Sequence, residues 1–272
     1  MKNLNHFQTR PKVTPINATA YLKELGLMKE LPSLNYLRLL HRRHLMRYPF
    51  ENLDIHFRRK IMIDIRKIYN KIVPTKRGGF CHELNLLFYH LLVHLGYDCH
   101  LLSARTFKSE TKTYGPEYDH MAILLNIQQN LYLCDVGFGD GMVFPKLLVT
   151  DRLQMDANRY FSFSVDPDDN YFLRKTNDTV NFEPVYQFQL KPREPIEFID
   201  MCDYHQSNPQ SSFVGKKIIT LLTEDGRITL TDDKLKIAEL GEVLEIPVLN
   251  DDDFYVKMEE QFGIAYQSLL QE

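Results

Sequence analysis

The chain has 272 residues, 44% of them apolar, enough to bury a sizeable core in one large domain or roughly two to three small ones. Its 33 Lys and Arg stand against 36 Asp and Glu, a formal charge of -3, so no excess of positive charge argues for nucleic acid or an anionic membrane, and small-molecule or protein substrates are expected. Four widely spaced cysteines (Cys81, Cys99, Cys134, Cys202) include no Cys-x-x-Cys pair, Met1-Lys2-Asn3 opens no apolar leader, and no run nears the ~18 apolar residues of a membrane helix; a soluble cytoplasmic protein with reduced thiols follows.

The first eighty residues read as helical. Asn17 caps a short helix carrying Tyr21, Leu22 and Leu25 up to Gly26, and Ser33 caps a second carrying Leu34, Leu37, Leu40 and Leu45, stopped by Tyr48-Pro49. His41 and His44 on that second helix lack a third ligand at helical spacing and are expected to be solvated face residues rather than a metal site. The stretch Pro49-Phe50-Glu51-Asn52-Leu53-Asp54-Ile55-His56 reads as an irregular loop before Asp64 opens a third helix through Ile65, Ile68 and Ile72. Either Glu51 and Asp54 are exposed, or a carboxylate there pairs with Arg77, whose guanidinium would brace the following glycine turn.

That turn, Arg77-Gly78-Gly79-Phe80-Cys81-His82-Glu83-Leu84-Asn85, organises the chain. Two glycines let the backbone bend sharply just before a cysteine, and Leu84, Leu87, Phe88, Leu91, Leu92 and Leu95 then fall at helical spacing up to Gly96. Cys81 therefore stands at a helix N-terminus, where the dipole and free N–H groups favour a thiolate.

After Gly96 the pattern turns extended, with short runs at 99–106, 121–127, 131–136, 160–165, 171–174 and 185–190, as in an antiparallel barrel or meander. A two-residue turn at Gln128-Gln129 sets His120 opposite Gly137 and makes Asp135 its diagonal neighbour on the same face; a one-residue slip would separate them. His120 is thus the candidate base. Cys81, His120 and Asp135 suit a nucleophile, a base and the acid that orients it, and the order Cys, His, Asp on helices followed by a barrel is that of papain-like thiol enzymes. The rest suggests a small third unit: a linker helix over 195–202, a hairpin of Lys217–Leu222 and Arg227–Leu230 around Glu224-Asp225-Gly226, and a last helix through Phe254, Met258 and Phe262 whose start is charged by Asp251-Asp252-Asp253.

With Pro49-Phe50-Glu51-Asn52-Leu53-Asp54 upstream, Asp135-Val136-Gly137-Phe138-Gly139 downstream and Tyr204-His205-Gln206-Ser207-Asn208-Pro209 beyond, the Arg77–Asn85 stretch resembles the arylamine N-acetyltransferase family over about residues 15–215. The resemblance implies an α+β fold in three parts: a helical bundle over 1–95 holding Cys81, an antiparallel β-barrel over 96–191 holding His120 and Asp135, and an α/β lid over 192–272. It implies a ping-pong reaction in which acetyl-CoA acetylates Cys81 and the acetyl group passes to an arylamine, arylhydroxylamine or hydrazine, with no metal, as in xenobiotic metabolism. Phe50 and Phe138 would flank the aromatic amine, Tyr204 would contact CoA, and Arg77 would brace Glu51 and Asp54. The short connections resemble bacterial members. One departure stands out: at Tyr114-Gly115-Pro116-Glu117-Tyr118-Asp119, where the family receives the CoA pyrophosphate, Glu117 and Asp119 would repel it, so that Tyr114 and Gly115 would take that role or the cofactor would lie differently. Asp119 is expected to face away from His120. A papain- or transglutaminase-like hydrolase, an acyltransferase with another donor, and an inactive binding protein are the rival readings.

Overall fold

The structure is a computed structural model that describes residues 14–270. The reading of the Met1 start lies outside the described residues. Each expected cap holds its helix. Asn17 Oδ1 accepts from Ala20 N at 3.0 Å to open α1 (Ala18–Glu24), and Ser33 Oγ accepts from Tyr36 N at 3.1 Å to open α2 (Leu34–Arg47). The 50–56 stretch differs from the irregular loop expected: it forms a two-residue strand, β1 (Phe50–Glu51), and a single turn, α3 (Leu53–His56). Asp64 Oδ1 accepts from Arg66 N at 2.8 Å at the start of α4 (Ile65–Ile72), and α5 (Cys81–Leu95) ends at Gly96 with φ of 93°. Leu84, Leu87, Phe88, Leu91 and Leu92 of α5 are all fully buried, so this helix is the axis on which the others pack.

His41 and His44 are not solvated. Both are completely buried against Phe88 of α5, and each has found partners: His41 Nδ1 donates to Val143 O at 2.9 Å, and His44 Nδ1 hydrogen-bonds the Tyr21 hydroxyl. Helical spacing places a histidine on a face; whether that face meets solvent depends on what packs there.

The central part is an antiparallel sheet curled into a nearly closed barrel. It comprises β2 (Asp98–Lys108), β3 (Thr113–Tyr114), β4 (His120–Ile127), β5 (Asn130–Cys134), β6 (Lys146–Leu147), β7 (Gln154–Asp156), β8 (Arg159–Val165), β9 (Tyr171–Thr176) and β10 (Glu183–Phe188), in the order β6-β5-β4-β2-β10-β9-β8-β7 with β3 beside β2. The β4–β5 hairpin turns at Gln128 (φ 51°) and Gln129 (φ 65°), with Ile127 paired to Asn130, so the two-residue turn is confirmed. Side chains close the gap between the β6 and β7 edges. Gln154 accepts from Leu147 N at 2.9 Å and donates to Leu147 O at 2.7 Å, while the buried Lys146 Nζ meets Asp156 Oδ1 at 2.7 Å. Phe161, Phe163, Leu102 and Tyr186 fill the interior.

After a 3₁₀ turn over Pro195–Phe198 come α6 (Ile199–Ser207) and α7 (Ser212–Gly215), then β11 (Ile218–Leu222), β12 (Gly226–Thr231), β13 (Lys234–Glu239) and β14 (Glu242–Pro247), then α8 (Asp251–Phe262) and α9 (Tyr266–Leu270). The expected hairpin is half of a four-strand meander that β1 extends at one edge, Phe50 pairing with Thr220 and Glu51 with Ile219. β14 escaped the sequence reading because its residues are almost all exposed and carry no alternation. α8, expected to be the last helix, is capped by Asn250, whose Oδ1 accepts from Asp253 N at 3.0 Å, with Asp251, Asp252 and Asp253 in its first turn, and α9 follows it. None of the described helices is long and apolar enough to cross a membrane.

Burial holds His41 down to about 4, His44 to about 3 and His90 to about 4, against about 6.5 in an unfolded chain. Between those values the unfolded chain binds protons that the folded one refuses, so stability rises with pH there. The unfolding free energy is therefore predicted to fall steeply as pH drops from about 6.5 to about 4. Denaturant titrations across that window test it; a flat profile would contradict the neutral buried histidines.

Candidate active site

The glycine turn is built around a buried cluster of charge. Arg77 forks between β1 and α3, Nη2 meeting Glu51 Oε1 and Nη1 meeting Asp54 Oδ1, each at 2.7 Å. Of the two readings of this segment, the paired one holds: Glu51 is fully buried and Asp54 nearly so. Sequence reasoning missed the second cation, Lys71, which reaches Asp54 Oδ2 at 2.8 Å and both oxygens of Glu83 at 2.9 Å; its only trace was its place between Ile68 and Ile72 on the inward face of α4. Burial would raise Asp54, but Lys71 and Arg77 outweigh it and hold this carboxyl at about 2; burial lifts Glu83 to about 7. Glu83 Oε2 also accepts from Phe80 N at 3.2 Å, fixing the residue before Cys81. A Cβ on Gly78 would stand 1.8 Å from Pro49 O, so the backbone here tolerates no side chain.

Cys81, the first residue of α5, is 3% exposed. His120 heads β4, and Asp135 follows β5. Continuing the Ile123–Cys134 register by three places sets His120 opposite Gly137, as expected, and His120 Nε2 donates to Asp135 Oδ2 at 2.7 Å. The other oxygen, Oδ1, accepts from Asn85 Nδ2 at 2.9 Å and from Gly137 N at 3.0 Å. Asn85 lies one turn beyond Cys81 and its Oδ1 accepts from Val136 N at 2.9 Å, so the helix that carries the cysteine also grips the loop that carries the acid. Gly137 closes this contact: a Cβ there would lie 2.8 Å from Cys81 Cα and 2.8 Å from Cys81 O. Two supporting residues had no assigned role in the sequence. Asn85 was visible only as part of its motif, and His41, whose Nε2 accepts from Asp135 N at 3.2 Å, comes from a helix nearly a hundred residues away.

Burial opposes ionisation of Asp135, yet His120, Asn85 and the Gly137 N–H together hold it below the ordinary carboxylate range. The Cys81 thiol moves the other way from the thiolate expected at a helix start. Burial, then the charges of Asp119 and Asp135, push it well up, against a smaller pull from the His82 N–H.

Cys81 and His120 open on a cleft of about 730 Å³ whose walls include Phe50, Phe138, Tyr204 and Phe213. The Phe138 ring stands edge-on to His120 with centroids 5.3 Å apart, and Phe50 packs against Phe213 at 5.9 Å. Gly115 is not on this cleft: it is buried, its N–H donates to Thr106 O at 2.8 Å and its carbonyl accepts from Arg105 Nε at 2.6 Å, leaving no backbone group for a phosphate. Glu117 is also off the cleft, accepting from Ser103 Oγ at 2.6 Å beside Arg193. Asp119 is on it, its carboxylate turned to Thr106.

The sequence profile of the N-acetyltransferase family matches residues 33–270. A pineal gland isozyme of arylamine N-acetyltransferase from Gallus gallus is 31% identical over 94% of this chain and 96% of its own length, and arylamine N-acetyltransferase of Escherichia coli is 29% identical over 86% and 83%. Arylamine N-acetyltransferase of Mycobacterium marinum, solved in complex with CoA, superposes with a TM-score of 0.85 at 25% identity, covering 93% of this chain and 94% of that one.

Because Gly137 meets the Cys81 backbone at contact distance, Gly137→Ala is predicted to destabilise the fold by about 1–3 kcal/mol through overpacking. Urea unfolding of the variant against the parent measures this; equal stabilities would show that the two segments do not touch so closely.

Proposed function

The chain belongs to the arylamine N-acetyltransferase family and is an acetyltransferase, and from that premise we propose that it moves an acetyl group from acetyl-CoA through a Cys81 thioester to an arylamine, arylhydroxylamine or hydrazine. The observation that carries this reading is a single cleft holding both the Cys81 thiol and a His120 already aligned by Asp135 at 2.7 Å.

His120 Nε2 is engaged by Asp135, so Nδ1 is the nitrogen that exchanges protons with the reaction. In the first half it takes the proton from Cys81 Sγ as sulfur attacks the acetyl carbonyl, and returns it to the departing CoA sulfur. In the second half it takes a proton from the attacking amine nitrogen, and Cys81 leaves as the C–S bond breaks and recovers that proton. A thiol held up by burial keeps its proton until this base removes it. The tetrahedral oxyanion of each half meets the first N–H groups of α5, those of Cys81 and His82, since the N–H groups of Glu83 and Leu84 already donate to Phe80 O.

Asp135 keeps the imidazole in the tautomer that presents Nδ1, while Arg77, Glu51 and Asp54 hold the turn that places the sulfur. Phe50 and Phe138 offer aromatic faces for the acceptor, and Tyr204 lies on the wall where CoA would run, in keeping with the CoA bound by the Mycobacterium marinum relative. We divide the chain at 1–95, 96–191 and 192–272, a reading supported by the helices up to Leu95, the strands from Asp98 to Phe188 and the mixed elements after them, and free Cys81, Cys99, Cys134 and Cys202 suit a reducing cytoplasm.

Acetyl-CoA alone should add one acetyl group to Cys81, seen by peptide mass spectrometry, absent from Cys81→Ala and discharged by an aromatic amine or hydrazine. His120→Ala and Asp135→Asn should slow acylation by about 100-fold or more with the fold retained. Full activity in either variant would remove that residue from the mechanism.

A further inference from the structure

Among the described residues three carboxylates border the cleft, Glu110, Asp119 and Asp140, and they differ in how their charge is met. Asp140 accepts from Arg159 Nη1 and Lys175 Nζ, each at 2.9 Å, and is half exposed; Glu110 sits on the exposed turn after β2. Asp119 is buried, and among the described residues no Lys or Arg nitrogen comes within 4.0 Å of it. Its partners are the Thr106 N–H at 3.2 Å, the Thr106 hydroxyl and His205, whose Nε2 lies 3.5 Å from Oδ1 and donates to the Asp119 carbonyl at 2.9 Å. Among the described residues Lys108 is the one Lys or Arg on the cleft wall, and it makes no ion pair with Asp119.

His205 does not neutralise this charge. It is packed among the rings of Phe80, His82 and Phe213, where burial lowers its pKa, and its Nε2–H goes to the Asp119 carbonyl and not to the carboxylate. The Asp119 carboxylate thus lines the cleft with no Lys or Arg partner among the described residues, close enough to Cys81 to raise its thiol. In a recess walled by low-dielectric side chains such a charge acts over several ångströms and is screened less than one on the surface.

Resting on the transferase reading, we infer that Asp119 is a specificity residue that selects acceptors by charge, favouring hydrazines and aromatic amines that carry a cationic group and rejecting those that carry a carboxylate. The Thr106 bonds keep the carboxylate on the wall, and its neighbour on β4, His120, handles the proton of the same acceptor. The selection adds an attraction for one class and a repulsion for the other, as discrimination by charge requires.

The first test reads the field directly at Cys81 and needs no acetyl transfer. Rates of Cys81 modification by methanethiosulfonates bearing a trimethylammonium, a sulfonate or a plain methyl group are compared, each divided by its rate with a small free thiol and assigned by peptide mass spectrometry against Cys81→Ala. The cationic reagent should outrun the anionic one by about tenfold or more. Asp119→Asn, whose amide oxygen still accepts from Thr106, should cut that ratio several-fold, whereas a purely structural role would change all three rates together. A wild-type ratio near one overturns the inference whatever the variant does. With acetyl-Cys81 in hand, an aniline bearing a para trimethylammonium group should discharge it faster than para-aminobenzoate, and Asp119→Asn should narrow the gap; an unchanged gap overturns the acceptor assignment. Failure of acetylation with an intact reagent ratio would count against the transferase reading and leave the charge in place.

Discussion

The structure depends on the buried clasp of Arg77 and Lys71 with Glu51, Asp54 and Glu83. Five side chains from β1, α3, α4, the glycine turn and α5 meet there, and together they fix where the first turn of α5 begins. Two cations meet three carboxylates there, and burial above all makes Glu83 resist ionisation, while Lys71 and Arg77 outweigh burial at Asp54. Losing either cation would strand a buried carboxylate at a cost of about 3–5 kcal/mol, so the arrangement is worth more as a positioning device than as net stabilisation. Through β1 the same clasp reaches the C-terminal sheet, since Glu51 pairs with Ile219 in the ladder while its side chain bonds Arg77.

The candidate site is assembled at the junction of α5 and the barrel, and Asn85 is the joint. Its amide donates to Asp135 and to Met121 O and accepts from Val136, so a helix, β4 and the loop after β5 meet in a single side chain one turn from Cys81. His41 adds a fourth attachment from α2. Groups held this way sit on rigid elements and lose little freedom on binding a substrate, the condition under which orientation contributes most to rate.

Electrostatics then assigns different states to similar groups. Asp135 is as buried as Cys81, but three donors converge on it and draw its pKa down; the thiol has one weak donor and two negative neighbours, and burial pushes it up.

Much was legible in the sequence because it rests on local geometry. The caps at Asn17, Ser33 and Asp64, the stop at Gly96 and the turn at Gln128-Gln129 each need only a few neighbouring residues, and the turn alone set the parity that puts His120 and Asp135 on one face. The spread motifs added the family. What the sequence could not decide were the environments: that His41 and His44 face a core, that Lys71 turns inward to three carboxylates, that Gly115 spends its polar groups on Thr106 and Arg105, that Glu242–Pro247 is a strand, and that burial pushes the thiol at a helix start up where the helix alone would draw it down. Burial and charge pairing are made by residues far apart in the chain, and only the folded arrangement says which of them meet.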